Sequence, residues 1–463
     1  MSKTTPTQQD PGASPATDSI AAISTAVGGA VAVIRISGPN AVPVTTTAWH
    51  GTRELADLPP RTLHLGQIIA EDGAPLDHAM AVRFESPASY TGEDMVELHC
   101  HGGGLVARSV LLRLLQTGAR HADPGEFTRR AFLNGKMDLT QAEAVADIIA
   151  AHSDMALRLA NRQLSGTLGR QGMQIFERLQ FVLSETEVRL DFPEEDLDWT
   201  PPEKLDPEIC EVRKSLDTML ASRLEGEVLR EGIRLVLAGP PNVGKSSLMN
   251  AMLGRDRAIV THIPGTTRDV LEEFAHIRGI PVRIIDTAGI REAEDIIERS
   301  GIERTLASMR EAQVILWIFD ASSPETGDAI PDEFRQHPCI RVGNKIDLRT
   351  TIESTAHDEA PTTVYTSASK GTGLDSLFDA IERVVWDRPH DHEPEVAVSA
   401  RHAALLDEAA TAADDARDCV QLEQWELAAV SIRTALDAVG RVIGRTVEPD
   451  VLDTIFSRFC IGK

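Results

Sequence analysis

The sequence predicts a multidomain α/β protein in three parts: an N-terminal α+β domain, a discontinuous α-helical domain, and a doubly wound α/β domain inserted into it. Three observations predict this organisation. Short apolar runs and alternations, the spacing of half-buried strands, dominate up to about residue 137. Helical spacing then governs 138–231 and returns over 390–463, and neither stretch is able to close a core alone. Between them a glycine-rich turn joins a strand-like run to a helix-like one, the arrangement of a phosphate-binding loop in a doubly wound sheet.

With 463 residues, 42% of them hydrophobic, the chain has core enough for about three domains. Its formal net charge of −25 favours solubility and disfavours a broad nucleic-acid-binding surface, because tracking phosphates takes clustered Lys and Arg. Any RNA it serves is expected on a partner or on a small local patch. No apolar run approaches the roughly 18 residues of a membrane span and no secretory leader is evident, so a cytoplasmic setting is expected. The five cysteines, Cys100, Cys210, Cys339, Cys419 and Cys460, are scattered and odd in number, as reduced thiols would be.

In chain order, 1–17 is polar and reads as a disordered tail. Residues 18–137 hold strands at 30–36, 63–69, 79–84 and 95–100, with helical spacing over 105–115. Arg35, Glu97, Arg130 and Lys136 sit on or beside them, the pattern of solvated or salt-bridged surface charge. Cys100 lies between His99 and His101, but neighbouring strand residues face opposite sides, so the trio does not converge on a metal. Asp138 with Gln141 forms a capping box that opens the helical region, and Leu139, Ala142, Val145, Ala146 and Ile149 share a face. Phe192-Pro193 and Pro201-Pro202 interrupt the region before a further helix reaches Leu229. The inserted domain occupies 232–389. In the last part, 390–463, Leu422, Trp425, Ala429, Ile432, Leu436 and Val439 form an apolar stripe along a helical stretch from Ala404 to Ile443.

The inserted domain carries the chemistry. In Gly239-Pro240-Pro241-Asn242-Val243-Gly244-Lys245-Ser246 the glycines let backbone N–H groups point at phosphate oxygens, Lys245 reaches the β/γ-phosphates, and Ser246, followed by Ser247, offers a hydroxyl to Mg²⁺. Thr261-His262-Ile263-Pro264-Gly265-Thr266-Thr267 contains a threonine able to join the Mg²⁺ shell. Asp286-Thr287-Ala288-Gly289 supplies a carboxylate for the Mg²⁺ shell and a glycine N–H for the γ-phosphate; ordering these two segments on triphosphate is the usual switch. In Asn344-Lys345-Ile346-Asp347 the Asp347 carboxylate accepts from N1–H and the 2-amino group of guanine and finds no such pair on adenine, so the nucleotide is GTP. Ser367-Ala368-Ser369 falls where a loop would cover the base. The order and spacing of the five segments are independent constraints, and together they predict a P-loop GTPase.

Three positions leave alternatives open. Ile290 stands where a water-orienting glutamine is common, so another polar group, from 292–298, must do that work. Asn242 is either a turn residue or an oxygen ligand to a monovalent cation between the phosphates. Cys460, three residues before Lys463, is either a small buried side chain or a reactive thiol.

Ser89-Tyr90-Thr91-Gly92-Glu93-Asp94, the run from Pro124-Gly125-Glu126 through Arg130 to Lys136, the GTPase segments with Asn242, and terminal Cys460-Ile461-Gly462-Lys463 resemble the MnmE (TrmE) family of tRNA-modification GTPases. The resemblance runs from about Asp18 to Lys463. It implies an N-terminal α+β folate-binding and dimerisation domain, a discontinuous α-helical domain and an inserted P-loop GTPase domain, working as a homodimer. The implied activity is potassium-dependent GTP hydrolysis coupled, with the FAD-containing partner MnmG, to aminomethyl-type modification of carbon 5 of the wobble uridine in certain tRNAs. A tetrahydrofolate one-carbon unit would supply the methylene. Residue by residue, it implies 5-formyltetrahydrofolate contacts at Arg35, Glu97, Lys136 and Lys463, a potassium site at Asn242, Thr261, Ile263 and Thr266, and Mg²⁺ ligands at Ser246 and Thr267. Glu298 would orient the hydrolytic water, and Cys460 would be needed for modification. The chain departs from the family at Ala26-Val27-Gly28-Gly29-Ala30, which lacks the usual arginine-bearing turn, and at Asp123, where an arginine is usual; both bear on folate geometry. A regulatory or ribosome-assembly GTPase without modification chemistry is the alternative.

Overall fold

The computed structural model describes residues 18–151, 153–192, 200–255, 272–286, 306–323, 330–348, 363–386, 396 and 398–463. It divides into two compact units, the first Met1–Ala146, Gly169–Trp199 and Trp425–Lys463, the second Asp147–Leu168 and Thr200–Gln424.

The first unit is built on a seven-stranded sheet of β1 (Ile20–Ile23), β2 (Val31–Ser37), β3 (Trp49–Gly51), β4 (His64–Ile69), β5 (Pro75–Phe84), β6 (Met95–His101) and β7 (Arg120–His121), in the order β3-β4-β5-β6-β2-β1-β7. The pairings are antiparallel except β1 with β7. Alternate residues such as Ile34, Ile36, Val96 and Leu98 face one side, where residues of helices Ala41–Ala48 and Gly104–Gln116 complete the main core. Ile20, Ala22, Ala122 and Phe127 form a smaller cluster that excludes those residues.

The four expected strands and the helix are present, with shifted ends. Missing from the expectation were β1, β3, β7 and the helix Ala41–Ala48, whose sequence AVPVTTTA reads poorly as helix. Pro43 sits in its first turn, where no intrahelical N–H is needed, and the hydroxyls of Thr45, Thr46 and Thr47 donate to the carbonyls of Ala41, Val42 and Pro43.

The second unit contains a six-stranded sheet of β8 (Ile233–Ala238), β9 (Glu272–Ile277), β10 (Ile280–Asp286), β11 (Val314–Asp320), β12 (Cys339–Asn344) and β13 (Thr363–Tyr365), in the order β13-β12-β11-β8-β10-β9. Every pairing is parallel except β9 with β10. Both faces are covered: Leu235 and Leu237 join one core and Val236 and Ala238 the other, so β8 reads as an apolar run from Leu235 to Ala238 after Arg234. Because β10 and β11 lie on either side of β8, the chain direction of winding reverses there, and ligands in such sheets bind at the carboxyl ends of strands beside that point.

Helical segments contribute to the cores of both units. Leu139 and Ala142 pack with Leu452, Ile455, Phe456 and Phe459 in the first unit, while Leu159, Val228 and Leu229 join the core of the second unit's sheet. The Asp138 and Gln141 capping box is formed, at 2.9 and 3.0 Å. Pro202 begins the helix Pro202–Ala221 rather than merely breaking one, since an N-terminal proline lacks only an N–H that would be unpaired there. The stretch from Ala404 to Ile443 is two helices, Ala400–Gln421 and Trp425–Ile443, parted at 422–424 with Glu423 at φ 55. Leu422 therefore leaves the apolar stripe and is 67% exposed; of its other members Ala429, Ile432 and Val439 are buried and Trp425 and Leu436 half-buried.

Candidate active site

In the second unit the carboxyl ends of β8, β12 and β13 lead into predicted nucleotide residues, and that of β11 ends beside them at Asp320. The turn after β8 delivers the N-terminus of helix Lys245–Arg255, where the helix dipole favours an anion. Gly239 has φ 141 and lies so close to the Ile318 carbonyl that a Cβ would collide with it, so the loop closes this tightly only with glycine. Asn242 holds the left-handed conformation, φ 64, and is exposed. Val243 is buried, Gly244 half-buried, and Ser246 and Ser247 exposed. Lys245 is buried and folds back onto its own loop, its Nζ donating to the carbonyls of Gly239 at 3.0 Å and Pro240 at 2.8 Å.

Two neighbouring residues tie the loop to the base side. Asn344, 2% exposed, donates from Nδ2 to the Val243 carbonyl at 2.9 Å, and its Oδ1 accepts from the Ala368 N–H at 3.1 Å. Lys345 donates from Nζ to the Asn242 carbonyl and to Asp320 Oδ2, both at 2.7 Å. Asp347 is exposed; its carboxylate accepts from Ser367 Oγ at 2.6 Å and Ser369 Oγ at 3.3 Å. The Ser367 hydroxyl above all holds its pKa below the usual aspartate range. Asp347 is thus an ionised, acceptor-only group at the site's edge.

Asp320 was missed in the sequence, although an acid closing the apolar run Val314–Phe319 was the available signal. Burial would raise its pKa, but the Lys345 ammonium and the Ser322 hydroxyl and N–H outweigh this and hold it low. Thr261, His262, Ile263, Pro264, Gly265, Thr266, Thr267, Thr287, Ala288, Gly289 and Glu298 lie outside the described residues, and of Asp286 only the backbone, ending β10, is described.

In the first unit Arg35 of β2 is opposite Glu97 of β6, and its Nε donates to Glu97 Oε1 at 2.8 Å. The guanidinium lies 5.1 Å from the Tyr90 ring and 5.6 Å from that of Phe127. Both charges are largely buried, which corrects the surface-charge expectation. The two signature segments interlock beside them: Tyr90 Oη and Thr128 Oγ1 are 2.8 Å apart, and Asn134 Nδ2 donates to the Thr91 carbonyl at 2.8 Å. Lys136 is exposed, its Nζ donating to the Pro87 carbonyl at 2.9 Å rather than to the Arg35–Glu97 pair.

The last residues also meet this sheet, since Gly462 is buried against Ile23 and Ser24, next to the strand that carries Arg35; the Lys463 N–H donates to the Cys460 carbonyl at 3.3 Å. Cys460 itself is exposed, which corrects the small-buried-residue alternative. Cys100, by contrast, is buried with its thiol pushed up to about 11, chiefly by burial, and His101 is exposed and paired with Asp77, so the trio stays apart as expected.

Behind the pair, Arg130 binds Asp18, Glu93 and Glu126, and Arg120 binds Asp18 and Glu126. Burial would raise the Glu126 pKa, but both arginines and the Asp123 N–H lower it overall. Asp123 lies 3.6 Å from Arg120. Gly125, φ 68, abuts Phe456 and Phe459 so closely that a side chain would displace them, which joins the Pro124-Gly125-Glu126 turn to the C-terminal segment. Ala26–Ala30 docks on Gly102, with the Gly28 N–H donating to the Gly102 carbonyl at 2.8 Å.

A doubly wound sheet with this loop, this lysine and this base-side carboxylate is a P-loop GTPase domain. The chain matches the family models for the GTP-binding protein TrmE N-terminus over residues 19–136 and the MnmE helical domain over 139–460. The tRNA modification GTPase MnmE of Geobacter sulfurreducens is 43% identical, covering 96% of this chain and 99% of its own. That of a Synechococcus species is 42% identical, covering 97% and 99%. Among solved structures, the G domain of the T. maritima FeoB iron transporter covers 33% of this chain and 98% of its own at 24% identity, with a TM-score of 0.26. The chain belongs to the MnmE family of tRNA modification GTPases, and it is a GTP hydrolase.

Proposed function

We propose that the chain is a potassium-dependent, cytoplasmic GTPase that works as a homodimer with an MnmG-type FAD partner. Together they add an aminomethyl-type group, including carboxymethylaminomethyl, to carbon 5 of the wobble uridine of certain tRNAs, drawing the carbon from a tetrahydrofolate derivative. The observation that carries this is the nucleotide edge itself, where Lys245, Asn344 and Lys345 converge on one loop and Asp347 presents an ionised carboxylate. Similarity over 96% of the chain to proteins named for tRNA modification supports the coupled reaction. Among the described residues no helix is long and apolar enough to cross a membrane.

Within this reading the residues from Asn242 to Ser247, with Lys245 at their centre, bind the phosphates, and Asp347 with Ser367, Ala368 and Ser369 holds the base. Ser246 and Thr267 serve Mg²⁺, and Asn242, Thr261, Ile263 and Thr266 serve potassium. These donors are hydroxyl, amide and carbonyl oxygens, which suit hard cations. A potassium ion there supplies positive charge to the transferring phosphoryl group in place of an arginine finger. Asp286 and Gly289 sense the γ-phosphate side, and Glu298 orients water.

Arg35, Glu97, Lys136 and Lys463 bind the folate. A carboxylate beside a guanidinium fits a pterin ring, which both donates and accepts, and the Tyr90 and Phe127 rings keep that pair dry. Exposed Cys460 is available for the modification step. The alpha-helical parts are read as one discontinuous domain that relays the movement of an inserted GTPase domain, with boundaries near 138, 232 and 390. The test is GTP turnover in KCl and in NaCl together with mass spectrometry of wobble uridines after gene deletion. Turnover confined to KCl and loss of the modified uridine are expected, whereas equal turnover or unchanged uridines overturn the reading. Glu298→Ala should bind GTP and fail to hydrolyse it.

A further inference from the structure

We propose that Asp320 is a positioning residue for the nucleotide edge, acting through Lys345 on the backbone of Asn242. The inference deepens the reading above and rests on it for the potassium limb alone.

Asp320 is the last residue of β11 and stands opposite Asn344 in the register with β12, so its carboxylate is delivered beside Lys345 by the sheet itself. One oxygen, Oδ1, is occupied by the Ser322 hydroxyl at 2.6 Å and the Ser322 N–H at 3.0 Å; the other, Oδ2, accepts from Lys345 at 2.7 Å. The carboxylate is therefore oriented before the lysine arrives. Lys345 spends a second donor on the Asn242 carbonyl at the same distance. Both Lys345, φ 67, and Asn242, φ 64, hold left-handed backbone conformations, which for a lysine are unfavourable without outside support.

A lysine in that conformation needs an outside anchor to keep its ammonium on the Asn242 carbonyl, and the Asp320 charge is that anchor. Without it the ammonium on its flexible stem is free to turn to solvent, and the Asn242 carbonyl loses its donor. The phosphate loop then has one fewer restraint at the position read as a monovalent-cation ligand, and the lysine is no longer held beside the base-side loop. Asn344 fixes the neighbouring Val243 carbonyl independently, so loss of Asp320 loosens Asn242 without releasing the whole loop.

The experiment compares Asp320→Asn, which keeps size and the Ser322 bonds but cannot accept a charge-assisted bond in the same way, and Asp320→Glu with the unaltered full-length chain. The dissociation rate of a fluorescent N-methylanthraniloyl GDP is measured in NaCl, and the KCl concentration for half-maximal GTP turnover is measured alongside it. Asp320→Asn is expected to release the nucleotide roughly fivefold faster and to raise the half-activating KCl by a similar factor, with turnover recovering at high KCl. Asp320→Glu should fall between. Unchanged dissociation in NaCl overturns the positioning role. Faster dissociation with an unchanged KCl midpoint overturns the relay to Asn242. If the unaltered chain ignores KCl, the potassium reading fails while the NaCl comparison still decides the role of Asp320. A lowered thermal midpoint without either kinetic change marks a structural role and overturns the proposal.

Discussion

The two candidate sites solve the same problem, holding charged side chains still, in opposite ways. At the nucleotide edge most anchors are backbone carbonyls: Lys245 on Gly239 and Pro240, Asn344 on Val243, Lys345 on Asn242. On the first unit's sheet they are opposite charges, from distant segments in Arg35 with Glu97 and Arg130 with Asp18 and Glu93, and from one helix in Arg130 with Glu126. A site anchored on backbone is fixed by loop shape and stays available to a ligand that displaces one donor. A site anchored on buried ion pairs is fixed by charge balance, and losing one partner leaves an uncompensated charge.

The largest expected effect would sharpen this contrast. Lys245→Ala should lower GTP turnover about a thousandfold by removing the charge that meets the phosphates. Phosphate-release assays measure it, and 5-formyltetrahydrofolate binding by the same variant should be unaltered. Next, Glu126→Gln should destabilise the first unit by about 3 kcal/mol in denaturant unfolding, since it leaves Arg120 and Arg130 short of a buried partner. A loss under 1 kcal/mol would break the comparison, because ion pairing would then not be what holds that region.

Asp347→Asn comes third. It should weaken GTP binding roughly a hundredfold and improve binding of xanthosine triphosphate, whose 2-oxo group accepts from the new amide. Competition against labelled GTP reads both. The smallest effect is one of pH. Glu126 is lowered in the folded chain, so its contribution to stability is fully present above the ordinary glutamate pKa and is lost as pH falls through the lowered folded value. Thermal midpoints taken from neutral to acid pH should fall more steeply for the unaltered chain than for Glu126→Gln.

Legibility followed the same divide. The octapeptide Gly239–Ser246 and the tetrapeptide Asn344–Asp347 were readable because each packs its chemistry into adjacent residues, on a strand-to-loop junction that apolar runs betray. Arg35 and Glu97 are far apart in sequence, and either alone reads as surface charge; only resemblance to a family singled them out. Asp320 went unseen because its partner, Lys345, lies one strand over. The helix Ala41–Ala48 was invisible because proline and threonine oppose helix locally, and packing against the sheet overrode them. The break at 422–424 was hidden because Leu422 continues the spacing of the stripe while the backbone turns away.

By itself the sequence determined the doubly wound domain and its glycine-rich loop, because periodicity and short motifs encode local backbone geometry directly. Tertiary structure alone decided that Gly125 abuts Phe456 and that Asp320 anchors Lys345. Those facts depend on which surfaces meet after the chain has folded, and burial and charge pairing between distant residues leave no periodic trace along it.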